Sequence, residues 1–241
     1  MATERKYMTQ AEASVAQYDV GLRSYMLSVY NYMASALALT GLIAYATANY
    51  AMANPAVANL LFVSPLKWVV MLAPIALVFF LAARVHTMSS GTAQATFWIY
   101  AGLMGLSLAS VFLVFTGESI ARVFFITAGT FAGVSLWGYT TKRDLSKFGT
   151  FLFMGLIGII IASVVNIFLG STALQFAISV IGVLVFTGLT AYDTQRIKEL
   201  YNELDASDVM GKKAIMGALT LYLDFINLFI MMLQLFGSQR E

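Results

Sequence analysis

The chain has 241 residues, of which 60% are hydrophobic and only 11% charged, and its mean hydropathy is +0.80. Soluble domains carry roughly 25% charged residues, so a soluble globular class is excluded; at roughly 20 apolar residues per span, this length leaves room for about seven helices in one transmembrane domain covering the chain. The net charge of +2 is scattered over loops rather than gathered in a stripe, which excludes nucleic acid as a partner, and the absence of cysteine excludes disulfides and thiolate metal sites.

Taken in order, residues 1–22 form a polar tail without the apolar core of a signal peptide, so the first transmembrane helix is expected to direct insertion. Arg23 precedes helix one, over residues 25–50. A connector with Pro55 and Pro65 follows, apolar enough to lie against the membrane. Helix two is expected over 68–83, opening on the interfacial Trp68 and kinked at Pro74. The loop after it holds the single histidine, His86, with no His/Cys cluster to make it a metal ligand. Helix three is expected over 93–115, helix four over 120–137, helix five over 150–169, helix six over 173–195 and helix seven over 214–236, which leaves a tail at 237–241. The densest basic loop, GYTTKRDLSKFG, lies between helices four and five; the amphipathic RIKELYNEL is a continuation of helix six beyond the membrane. Eleven of the 14 Lys and Arg residues fall on the amino-terminal side of this topology. The positive-inside rule then sets the amino terminus in the cytoplasm and the carboxyl terminus outside. Glycines such as Gly102, Gly155 and Gly188 inside the spans read as close helix packing, and no phosphate-binding glycine motif accompanies them.

Two acids lie deep inside apolar runs, Asp193 in VFTGLTAYDTQ and Asp224 in ALTLYLDFINLFIMM. An Asp near the centre of a spanning helix costs about 2.5 to 3.5 kcal/mol on insertion scales, so it is expected to face protein or water and to have a partner. If helices six and seven form a hairpin, the midpoint between the acids falls between Asp208 and Val209, and the turn brings both to similar depth. Helical spacing sets Phe186, Thr190 and Asp193 on one face, and Gly217, Thr220, Asp224 and Asn227 on another. Two carboxylates ~4 Å apart repel by roughly 4 kcal/mol at an effective dielectric of about 20, so the pair shares a proton rather than ionising twice. A shared proton holds the helices together, and its loss pushes them apart. The doubly ionised pair beside Asn227 offers oxygen ligands suited to a hard cation such as calcium. The blander readings are an Asp193 at a wet helix end paired with Arg84 or Arg196, and an isolated, neutral Asp224.

At these residues the chain resembles the Bax inhibitor family, also called the transmembrane Bax inhibitor motif family. The segments that carry the resemblance are GLTAYDTQRIK (188–198), LYLDFINLF (221–229) and GYTTKRDLSKFG (138–149), and the similarity spans about residues 25–236. The resemblance implies an all-α integral membrane protein of seven transmembrane helices, with helix seven central within a bundle of the other six. It implies a pH-sensitive calcium leak controlled by aspartates that match Asp193 and Asp224, with no cofactor and calcium as the permeant ion. It also implies a latch arginine late in the second helix, for which Arg84 is the candidate by position. The short end GSQRE, in place of the basic tail of eukaryotic members, favours a bacterial inner-membrane member. The competing classes are a non-transporting modulator of a membrane protease or stress-response partner, a proton-coupled exchanger, and an intramembrane aspartyl protease. Tyr192-Asp193 suits the protease pattern, but no GxG precedes Asp224 and no Pro-Ala-Leu follows it.

Overall fold

The computed structural model describes residues 10–240, with side-chain environments from Gln17 onward. Among the described residues seven helices are long and apolar enough to cross a membrane. They are α1 (Gln10–Ala53), α2 (Leu66–Arg84), α3 (Ser90–Val114), α4 (Gly117–Thr140), α5 (Ser146–Leu169), α6 (Thr172–Glu199) and α7 (Ser207–Phe236). No strand occurs among these residues; a lone antiparallel bridge joins Phe115 to Gln239. The chain is an all-α membrane protein.

Each helix starts and stops where the local chemistry requires. Ser89, Thr116 and Ser171 cap α3, α4 and α6, each accepting a backbone N–H three residues on. Helix α1 begins at Gln10, well before the apolar run, so the polar stretch from residue 10 continues the first span as helix. Helix α6 ends at Glu199, short of the continuation expected through RIKELYNEL. The connector between Ala53 and Leu66 is a short helical turn, Pro55–Ala58, followed by one wide turn, Asn59–Val63.

Helix α2 continues through Pro74. A proline has no N–H, so the carbonyl four residues back, that of Val70, loses its helical partner. The hydroxyl of Ser107 on α3 donates to that carbonyl. A neighbouring helix thus repairs the gap, as apolar surroundings require.

Burial orders the bundle. Two thirds (67%) of the apolar window of α7 is buried, against 6% for α5, 11% for α2 and 28 to 33% for the rest. The principal neighbours of α7 are α1, α3, α4 and α6, whereas α2 leans on α3 and α5 leans on α6. Of the ring of six that the resemblance implies, four helices are the principal neighbours of α7, and α2 and α5 pack mainly on α3 and α6. Buried hydroxyls fasten the core: Tyr222 on α7 meets Thr40 on α1 at 2.7 Å, and Thr40 donates to the Ala101 carbonyl of α3 at 2.8 Å. Large apolar side chains such as Phe79, Phe125, Phe151 and Phe168 point outward, where lipid covers them.

Candidate functional site

Asp193 and Asp224 are brought together. Both line a cavity of about 930 Å³ between α2, α5, α6 and α7, and each carboxyl lies within electrostatic reach of the other. Asp224 is 5% exposed, and its Oδ2 has no partner among the described residues. Asp193, one helix away, is half-buried.

The hairpin reaches this pairing by an asymmetric route. The turn expected around Asp208 and Val209 lies earlier, at 200–206, and Asp208 sits in the first turn of α7. Its Oδ1 accepts the Ser90 N–H at 2.7 Å, and its Oδ2 pairs with Lys212 at 3.0 Å. A carboxylate is favoured at that helix end, which starts α7 earlier than its apolar pattern does. At 1.5 Å per residue, Asp193 is about 9 Å from the end of α6 and Asp224 about 26 Å from the start of α7. The connector spans the difference, and Lys213 pins it through the Leu200 carbonyl at 2.8 Å and Asp205 at 2.6 Å.

The other expected site residues divide. Thr220 and Asn227 line the cavity with the acids. Asn227 donates its amide to the Leu223 carbonyl at 2.8 Å, so its Oδ1 is the atom it offers. Thr190 is fully buried away from the cavity; it donates to Phe186 of its own helix at 2.7 Å and its carbonyl accepts from Thr194. Arg84 is exposed at the end of α2 and does not line the cavity. The cation on the cavity wall is Arg196, one turn along α6 from Asp193 and within Coulombic reach of it. Tyr192 and Arg196 are the other titratable side chains lining this space; α2 and α5 contribute none. The oxygen donors lining the cavity are the two carboxyls, the Asn227 amide and the hydroxyls of Thr150, Ser163, Tyr192 and Thr220, and no group of three His, Cys, Asp or Glu side chains placed to hold a metal ion occurs among the described residues.

A clamp that sequence reasoning missed holds α6 in place, and it joins two of the motif segments. The Gln195 side chain accepts the Leu145 N–H at 2.8 Å and donates to the Arg143 carbonyl at 2.8 Å, tying down the 141–145 loop. Asp144 in that loop accepts the Ser146 N–H at 2.8 Å, which holds its carboxyl below the usual range. Lys198 donates to the Tyr139 carbonyl at 2.9 Å and lies 5.1 Å from its ring. The two glycines that bound GYTTKRDLSKFG are contact points: Gly138 abuts the backbone of Ala191, and Gly149 lies under the Tyr192 ring. Ala191 and Tyr192 immediately precede Asp193, so the loop motif sets the position of the acid.

The family model described as inhibitor of apoptosis-promoting Bax1 matches residues 22–241. The chain belongs to the Bax inhibitor family. It is 49% identical over 230 residues to inner membrane protein YbhL of Escherichia coli K12, covering 94% of this chain and 97% of that one. It is 48% identical over 224 residues to the uncharacterized protein RP147 of Rickettsia prowazekii, covering 93% of each. An uncharacterized protein of Caulobacter vibrioides is 48% identical over 241 residues, covering 96% of this chain and 95% of the relative. The Bax inhibitor match thus runs through every span and through both acid-bearing helices.

Proposed function

We propose that this Bax inhibitor family protein is a passive, calcium-permeable pathway of a bacterial inner membrane, gated by the Asp193–Asp224 pair. The observation that carries the reading is the buried Oδ2 of Asp224, without a partner among the described residues, in a cavity that Asp193 and other oxygen donors also line. An orphaned buried oxygen is satisfied by a proton or by a cation. One proton on the pair keeps α6 and α7 together and the path closed. Loss of that proton leaves two anions that repel each other and attract calcium. The closed state binds one more proton than the open state, so a rise in pH favours opening. Arg196, rather than Arg84, is the counter-charge this geometry favours. The excess of Lys and Arg on the amino-terminal side supports a cytoplasmic amino terminus, and the designation of YbhL supports the inner membrane.

The test is calcium uptake into liposomes holding the purified chain, from about pH 5 to about pH 8, for wild type, Asp193→Asn and Asp224→Asn. Flux that rises with pH in wild type and loses that dependence in both variants is the expected result. An unchanged profile in both removes the sensor. Absence of flux in wild type favours a second reading, a modulator of a membrane protease or stress-response partner. That reading draws on the polar start of α1, which runs as helix from Gln10 with Gln17 to Val20 exposed.

A further inference from the structure

A second cavity, remote from the acid pair, lies between α1 and α4. These helices are fastened by hydroxyls, with Tyr30 meeting Ser135 at 2.7 Å and Ser135 meeting Thr194 at 2.8 Å. The gap left beside this seam is a groove of about 470 Å³, floored by Phe225 of α7 and walled by small residues including Ala34, Ala128 and Ala132. Because the Tyr30 and Ser135 hydroxyls are occupied by each other and by Thr194, the walls offer an occupant apolar contact only. The exception is one mouth, where Arg23 and Tyr139 line the groove. Lys198 sits over Tyr139 there. Both ion pairs among the described residues use Lys212 and Lys213, so neither Arg23 nor Lys198 has a carboxylate partner among them.

We infer that this groove holds one acyl chain of an anionic phospholipid, with Arg23 at its phosphate. The dimensions support this occupant. From Arg23 to Leu37 the groove follows α1 for about 21 Å at 1.5 Å per residue. A single leaflet with its headgroups is about 20 to 22 Å deep. At Leu37 and Phe225 the groove meets a second apolar cavity, of about 500 Å³, which continues towards Tyr45 and Phe125 and has no charged lining residue. The charged mouth therefore belongs to one leaflet, and the charge there is positive. The site is independent of the gating proposal, since it shares no lining residue with the carboxyl cavity.

The experiment is native mass spectrometry of the full chain in detergent, offered phosphatidylglycerol or phosphatidylcholine with the same acyl chains. Wild type is expected to retain one phosphatidylglycerol with a preference of about fivefold, the effect of one basic residue near a membrane surface. Arg23→Gln removes most of the preference while keeping lipid. Ala132→Phe, which fills the groove, loses retention of both lipids, whereas Gly133→Phe, next to it on α4 but outside the lining, keeps it. Equal retention of the two lipids by wild type, or undiminished retention by Ala132→Phe, overturns the proposal. Should Ala132→Phe fail to fold, the loss of preference in Arg23→Gln decides the matter alone.

Discussion

Gly138→Ala is the sharpest test of how α6 is positioned. A Cβ at Gly138 would lie 2.9 Å from the Ala191 Cα and 3.0 Å from its carbonyl carbon. Carbon atoms rest at about 3.5 to 4.0 Å, so α4 and α6 must separate by roughly 0.5 to 1 Å there. The obstacle is backbone, and no side chain can swing aside to relieve it. Overpacking of this kind costs about 1 to 3 kcal/mol, while replacing a helical glycine with alanine returns about 0.8 to 1 kcal/mol. The net expectation is a loss of about 0 to 2 kcal/mol against wild type and of about 1 to 3 kcal/mol against an alanine that meets no obstacle. Gly129 and Gly133 lie on the same helix with no atom within 4 Å of an added Cβ. Alanine there keeps the propensity gain and meets no obstacle, so both variants should be neutral or more stable than wild type by up to about 1 kcal/mol. The assay is reversible unfolding in mixed micelles, comparing the three variants in one titration series. A Gly138→Ala protein as stable as Gly133→Ala would refute the close approach, and with it the account of how the loop motif holds the acid.

Four further outcomes follow from the same geometry. Gln195→Ala leaves the Leu145 N–H and the Arg143 carbonyl without their side-chain partner, and should cost about 1 to 3 kcal/mol by the same unfolding assay; a loss under about 0.5 kcal/mol would mean water replaces the clamp. Ser107→Ala strips the partner from the Val70 carbonyl beneath Pro74 and should destabilise by about 1 to 3 kcal/mol, an effect that Pro74→Ala, which restores the helical N–H, should largely cancel in the double variant. Asp224→Leu removes the buried acid with the unpartnered oxygen and should abolish the pH-dependent calcium flux; flux that still rises with pH would exclude Asp224 from the gate. Arg196→Gln withdraws the cation that favours the doubly ionised pair, so the flux of the liposome assay should rise only at higher pH; an unmoved profile would exclude Arg196 as the counter-charge.

The spans were legible because lipid imposes a composition that a single chain displays directly. Every expected helix occurs; most ends are displaced by a few residues, where polar caps such as Ser89 and Thr116 extend the helix past its apolar run, whereas the first helix begins well ahead of its apolar run, at Gln10. The pairing of Asp193 with Asp224 was legible for a related reason: an acid inside an apolar run is costly alone, and two at one depth can meet. The turn between them was placed too late because symmetry about the midpoint ignores what starts a helix, and Asp208 starts α7 through Ser90 on a distant segment. Arg84 and Arg196 illustrate the limit of reading a position. Both end a helix on the basic side of the chain, and only the packing of α2 on α3 and of α6 on α7 turns one out and the other towards Asp193. The role of Gln195 carried no signal at all, since its partners are backbone atoms of residues 143 and 145.

The distribution of burial bears on where such a pathway would open. The acid cavity is enclosed on its outer side by α2 and α5, the two spans with the least buried surface in the bundle. Each leans on one principal neighbour, which is not α7. Displacing them disturbs few packed side chains, whereas moving α7 disturbs the core on four sides, so local opening is cheapest at the outer wall. The stretch of α2 that lines the cavity, Ile75 to Phe79, begins directly after Pro74, the residue at which the helix lacks an internal hydrogen bond and depends on Ser107. On the proposed gating, a change of charge on the acid pair would act on α6 and α7 from within, and the half of α2 beyond its proline is the element expected to yield. Locking that half to α5 should suppress flux without altering the carboxyls, which separates the gate from its sensor.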